Sequence, residues 1–168
     1  MPLSMFQASA PVFIRAMNNL KVVLDKGAAH AAANKIDPTV LLNSRLFPDM
    51  FPLVRQVQIA SDNAKGGGAR LAGMNPPKYE DNEASFPELN ARIEKTVAFL
   101  QTLTPAQIDG SEEKTINLTL GKKTLAFQGQ AYLFGLVLPN LYFHVTTAYA
   151  ILRHCGVPLG KEDFLGKA

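Results

Sequence analysis

The stretch LPNLYFHVTTAYAILRHCGVP, Leu138 to Pro158, decides how the rest of the chain is read. A helix turns about 100° per residue, so positions four apart share a face. Asn140 and His144 are such a pair, and Ala148, Ile151 and Cys155 continue the His144 line in steps of four, three and four. Tyr142 falls on another face. The pattern predicts a core helix with one imidazole on its inward stripe, and a buried imidazole needs partners for its nitrogens. Two readings are open: a hydrogen-bonded core histidine, or a metal ligand. A catalytic zinc site takes three protein ligands and this stretch offers one strong one, so spacing favours the first. His154 is roughly 280° around a straight helix from His144 and cannot share an ion with it. It sits beside Arg153 at the negative end of the helix, where a cation is favoured. Cys155 has no CxxC partner, and the same helix end opposes a thiolate, so it reads as a packed, inert thiol.

Working outward, the helix extends back to about Gln128, with a bend at Pro139, and stops at Cys155 before Gly156 and Pro158. Before it, KTINLTL alternates, a break follows at Gly121 to Lys123, and TLAF resumes: a small β-hairpin. It must lie on the rest of the fold, because two strands alone are marginal. A third helix is expected over Pro87 to Leu103, with Ser85 as cap, Glu88 three residues later and a face of Leu89, Ile93, Val97, Leu100 and Leu103. The second is expected from Met50 to Leu71, capped by Asp49. Its triple glycine, Gly66 to Gly68, implies a weakened last turn or a tight helix crossing; KGGGAR lacks the spacing of a phosphate loop. The first is expected from Ser4 to about Asn34, with Phe6, Phe13, Met17, Leu20 and Leu24 as its stripe and Pro11 bending it. A short helical turn is expected near Val40 to Ser44. The prediction is all-α, one domain over residues 1–168: an antiparallel four-helix bundle with a hairpin between helices three and four.

Composition sets the outer limits. Of the 168 residues, 47% are apolar and 18% charged, ordinary for a globular domain. The net charge is +3, but lysines and arginines are scattered with no basic patch, so nucleic-acid binding is not expected. One cysteine excludes an internal disulfide and fits a reducing compartment. The start of the chain lacks the basic stretch of a secretory signal. The most apolar run, Ala131 to Phe143, is 13 residues against the roughly 20 a membrane span needs. The expectation is a soluble, cytoplasmic protein. His30 reads as a surface residue. The acidic YEDNE, Tyr79 to Glu83, reads as a solvated loop, since it lacks EF-hand spacing. No GxSxG, HExxH or GxGxxG is present.

The segments PVFIRAMNNLKVVLDK, RLFPDMFPLVRQVQIASDNAKG, FPELNARIEKTVAFL, DGSEEKTINL and NLYFHVTTAYAILRHCGVPLGKEDFLG resemble, in that order, an uncharacterised family of the DinB/YfiT-like superfamily. The resemblance implies a four-helix bundle, often a homodimer. Many relatives hold a divalent metal, commonly nickel or zinc, with one histidine on helix two and a His-x-x-x-His pair on the last helix. Some are thiol-dependent transferases or isomerases. Carried over by position, the metal residues here are His144, Asn140 where the first histidine of the pair stands, and Gln56 near the helix-two ligand. Carboxamide oxygens are poor ligands for first-row transition metals beside imidazole. The resemblance therefore implies an altered metal site, at most weakly holding a divalent metal such as zinc or nickel. The expected function is that of a small-ligand-binding or structural homodimer. The alternatives are a metal- or thiol-dependent transferase or hydrolase, with Asp49 or Tyr149 completing a site, and an interaction module.

Overall fold

The structure, a computed structural model, describes residues 3–166. Its elements follow in chain order: α1 (Ala10–Ala33), α2 (Pro38–Asn43), α3 (Leu53–Leu71), α4 (Phe86–Gln101), α5 (Pro105–Ile108), β1 (Thr115–Leu120), β2 (Lys123–Gln128), α6 (Gly129–Tyr132), a π-helical segment (Leu133–Val137), α7 (Leu138–His154) and α8 (Lys161–Leu165). The chain is mostly helical, with one small antiparallel hairpin. The long helices α1, α3, α4 and α7 form a helical bundle, and α2, α5 and α8 add short helical turns. Of these only α2 was anticipated, near Val40 to Ser44.

Three boundaries move for the same reason. Proline lacks an N–H and clashes with the carbonyl four residues back, so it is admitted in a first turn and resisted inside a helix. Pro11 therefore starts α1 rather than bending it. Ser4 caps a separate single turn, donating its N–H to Gln7 (3.1 Å) while its hydroxyl accepts from the Gln7 N–H (3.2 Å). Pro52 stands at the N-cap of α3, displacing the expected start at Asp49 and Met50. Pro139 lies in the first turn of α7, and the π-helical residues just before it absorb the missing backbone bond. The Ser85 cap forms as read: its hydroxyl accepts from the Glu88 N–H (3.3 Å), and Glu88 returns a carboxylate to the Ala84 N–H (2.7 Å). Gly156, at φ +88°, ends α7.

Side-chain pairs give the helix directions. Lys21 meets Glu94 and Asp25 meets Asn90, so α1 and α4 are antiparallel. His144 meets Gln56 and Asn140 meets Asn63, so α3 and α7 are antiparallel. Gly68 lies against Leu100 and Leu103 while Ser61 bonds Thr96, so α3 and α4 run parallel. The expected antiparallel bundle allows a crossover at the long link between its second and third helices, and this pair takes it, running parallel rather than antiparallel. The link between them must return along the bundle. The 19 residues of α3 rise about 28 Å, and the 14 residues 72–85 reach about 46 Å when extended, enough to make the return.

The triple glycine sits where α3 is enclosed on three sides. A Cβ on Gly67 would come 2.5 Å from Val137 Cγ1, and one on Gly68 would come 2.7 Å from Leu103 Cδ1. Successive residues point 100° apart, so consecutive glycines serve a different neighbour each. This is the tight crossing among the two readings of that motif. One connected apolar core runs through Phe13, Met17, Leu20, Val57, Leu89, Ile93, Leu141 and Ile151. Residues 129–154 form one continuous helix that by length and composition alone could cross a membrane, longer than the apolar run suggested. Its inward face is built into this core.

Candidate functional site

The sequence-derived site lies between α3 and α7. His144 is buried, and its Nδ1 lies 2.7 Å from Gln56 Oε1. Gln56 Nε2 donates to the Phe51 carbonyl (3.0 Å), which assigns Oε1 as the acceptor. His144 Nδ1 therefore carries the proton and donates. Burial lowers the imidazole pKa, and the nearby Arg55 charge lowers it further. At neutral pH the ring is neutral, with its one lone pair on Nε2. The Phe143 ring stands edge-on to it at 5.1 Å. Asn140 does not join this pair. Its Nδ2, one turn before His144 on α7, donates to Asn63 Oδ1 on α3 (3.0 Å).

These donors do not fit a zinc- or nickel-type ion. The Gln56 oxygen is taken by the His144 N–H, and the Asn140 amide is turned to Asn63. That leaves one imidazole nitrogen and no anion against the three protein donors a catalytic zinc requires. Among the described residues no group of three or more His, Cys, Asp and Glu gathers. Asp49 is exposed on the loop before α3, and Tyr149 packs on Phe164, with ring centroids 6.2 Å apart. His30 is half-buried and bonded to Asn34; His154 is exposed and Cys155 half-buried.

A second polar assembly was not anticipated. Arg92 on α4, its side chain 1% exposed, holds the returning link. Its Nη1 donates to the Glu80 carbonyl and to Glu83 (2.9 Å each), its Nη2 donates to Asp62 (2.8 Å), and the same Nη2 forms an ion pair with Asp81 (3.0 Å). Arg55 also pairs with Asp81, and Gln58 donates to Glu83 (2.8 Å). Lys65, Arg92 and Lys95 surround the Tyr79 ring at 4.3–5.4 Å. The stretch read as a solvated loop is thus a fastened one. The signal was available: Arg92 stands one residue before Ile93, inside the inward face of its helix, so its charge needed a partner from elsewhere.

Comparison with known proteins places the chain. Residues 5–165 match the family model described as a domain of unknown function (DUF1993). The crystal structure of a DinB family member protein from Shewanella denitrificans is 41% identical, superposes with a TM-score of 0.87, and the match covers 97% of this chain and 92% of that one. No curated protein matches.

Proposed function

Because the chain belongs to the DUF1993 family, within the DinB-like superfamily, we propose that it is a four-helix-bundle protein whose DinB-type metal position has become a neutral hydrogen-bonded pair. It acts by binding a small ligand or a second copy of itself, in the cytoplasm, and not through a resident transition metal. The observation that carries this reading is the 2.7 Å contact from His144 Nδ1 to Gln56 Oε1, which spends the oxygen where a second metal donor is needed. Self-association is supported by an apolar face. Leu46, Met50, Tyr142 and Phe143 line an open groove, with Phe47 and Phe51 exposed on the same loop as Leu46 and Met50.

Metal analysis of protein purified without an affinity tag tests the reading. Substoichiometric zinc and nickel are expected, in the parent and in His144→Ala alike. One equivalent of either metal, lost in His144→Ala, would overturn it. Light scattering tests the dimer: the parent should have twice the chain mass and Phe143→Asp the mass of one chain.

A further inference from the structure

Between the returning link and the outer face of α3 lies an open cleft of about 610 Å³, lined by Lys65, Arg70, Pro76, Pro77, Lys78, Tyr79, Glu80 and Asp81. We propose that this cleft binds a small organic anion, a carboxylate or phosphate carried on a flat ring. The inference is independent of the state of His144, which does not line the cleft.

The charges decide the sign. Of the acids, Asp81 is answered by Arg55 and Arg92; of the cations, Lys65 is answered by Asp62 at 2.6 Å. Arg70 and Lys78 remain, and neither pairs with a carboxylate among the described residues. Against them stands only Glu80, exposed, whose backbone carbonyl is held by Arg92. Two cations facing one acid leave the cleft a single positive charge in excess, suited to an oxyanion.

The geometry makes the arginine ready. Its Nη1 donates to the Tyr132 hydroxyl at 3.1 Å, a neutral acceptor that fixes the guanidinium without cancelling its charge. The guanidinium folds back over Gly66, where a Cβ would meet Nη1 at 2.6 Å. The first of the three glycines therefore makes room for a half-buried arginine head whose remaining N–H groups have no partner among the described residues and can bond an oxyanion. A planar fork of donors matches a carboxylate or phosphate in two-point contact. Pro76 and Pro77 supply flat apolar walls beside it, the reason for assigning a ring to the ligand.

Titration with benzoate and with phenyl phosphate, followed by NMR shifts of the Arg70 and Tyr79 side chains, tests this. Saturable shifts at both residues are expected. Losing one charged two-point contact should weaken binding about tenfold or more in Arg70→Gln. Lys78→Gln, at an exposed position where folding is not at stake, should weaken it in the same direction. Gly66→Ala should also weaken binding by displacing the guanidinium, with the thermal midpoint unchanged. Arg153→Gln, at the exposed end of α7, should leave binding as it was. Absence of saturable shifts overturns the proposal, as does binding untouched by Lys78→Gln and Gly66→Ala. Inorganic phosphate binding as tightly as phenyl phosphate would overturn the assignment of a ring. A metal found at His144 would overturn the preceding reading and leave this one standing.

Discussion

Replacing Arg92 by methionine keeps most of the side-chain volume and removes the donors that Arg92 itself gives to the returning link, leaving those of Arg55 and Gln58 in place. Three carboxylates lose a partner, but not equally. Asp62 and Asp81 side chains are 39% and 37% exposed and keep Lys65 and Arg55, so solvent limits their loss to less than about 1 kcal/mol each. The Glu83 side chain is 10% exposed and keeps only Gln58, so its lost charged bond costs about 1.5–3 kcal/mol. The sum is about 3 kcal/mol, at the low end for breaking a buried ion pair. For a chain of this length it corresponds to a fall of about 6–12 °C in thermal midpoint. Urea unfolding measures the energy. Limited trypsin cleavage at Lys78, which lies in the link, measures the local effect, and the mutant should be cut much faster under native conditions. Stability within about 0.5 kcal/mol of the parent, with no faster cutting at Lys78, would refute the claim that Arg92 fastens the crossover. Arg92→Lys should recover only part of the loss, since an ammonium cannot span the same acceptors.

Other outcomes follow from the same geometry. Gly67→Ala should cost about 1–2 kcal/mol: overpacking against Val137 and Phe13 outweighs the roughly 1 kcal/mol gain in helix propensity, whereas Gly66→Ala meets only the end of Arg70 and should be close to neutral, as urea midpoints will show. The folded His144 pKa lies below its ordinary value of about 6.5, so the unfolded chain takes up the proton first. Its contribution to stability is therefore present above about pH 6.5 and is lost as pH falls through the depressed folded value; His144→Gln should fold normally and flatten this slope in a stability–pH series. A second loss belongs to Asp81, whose carboxyl is pushed up by burial but drawn further down by Arg55 and Arg92, and it should begin only in the ordinary carboxylate range, near pH 4.

The long helices were legible because their apolar positions repeat every three or four residues, and the Ser85–Glu88 cap and the hairpin because each is a local pattern. The inward stripe through His144 was legible for the same reason. What the sequence hid is long-range. Nothing local distinguishes a proline that bends a helix from one that begins it, as Pro11 does. The direction of α4 relative to α3 depends on a link whose acids find Arg92 about ten residues later, and acids in a proline-rich stretch look the same whether solvated or paired. The glycines of α3 carry no periodic signal, because each answers a different neighbour. At the site itself, one-dimensional spacing placed Asn140 beside His144 on a shared face, but only the structure shows their amide and imidazole turned to different partners on α3.

The imidazole of His144 is neutral, protonated on Nδ1 and held by Gln56. Long-range ¹H–¹⁵N NMR of the ring reads this directly. At pH 7 the expected spectrum shows a protonated Nδ1 and a bare Nε2, both unmoved by one equivalent of zinc. A proton on Nε2, or a zinc-dependent shift of a ring nitrogen that saturates at one equivalent, would contradict it.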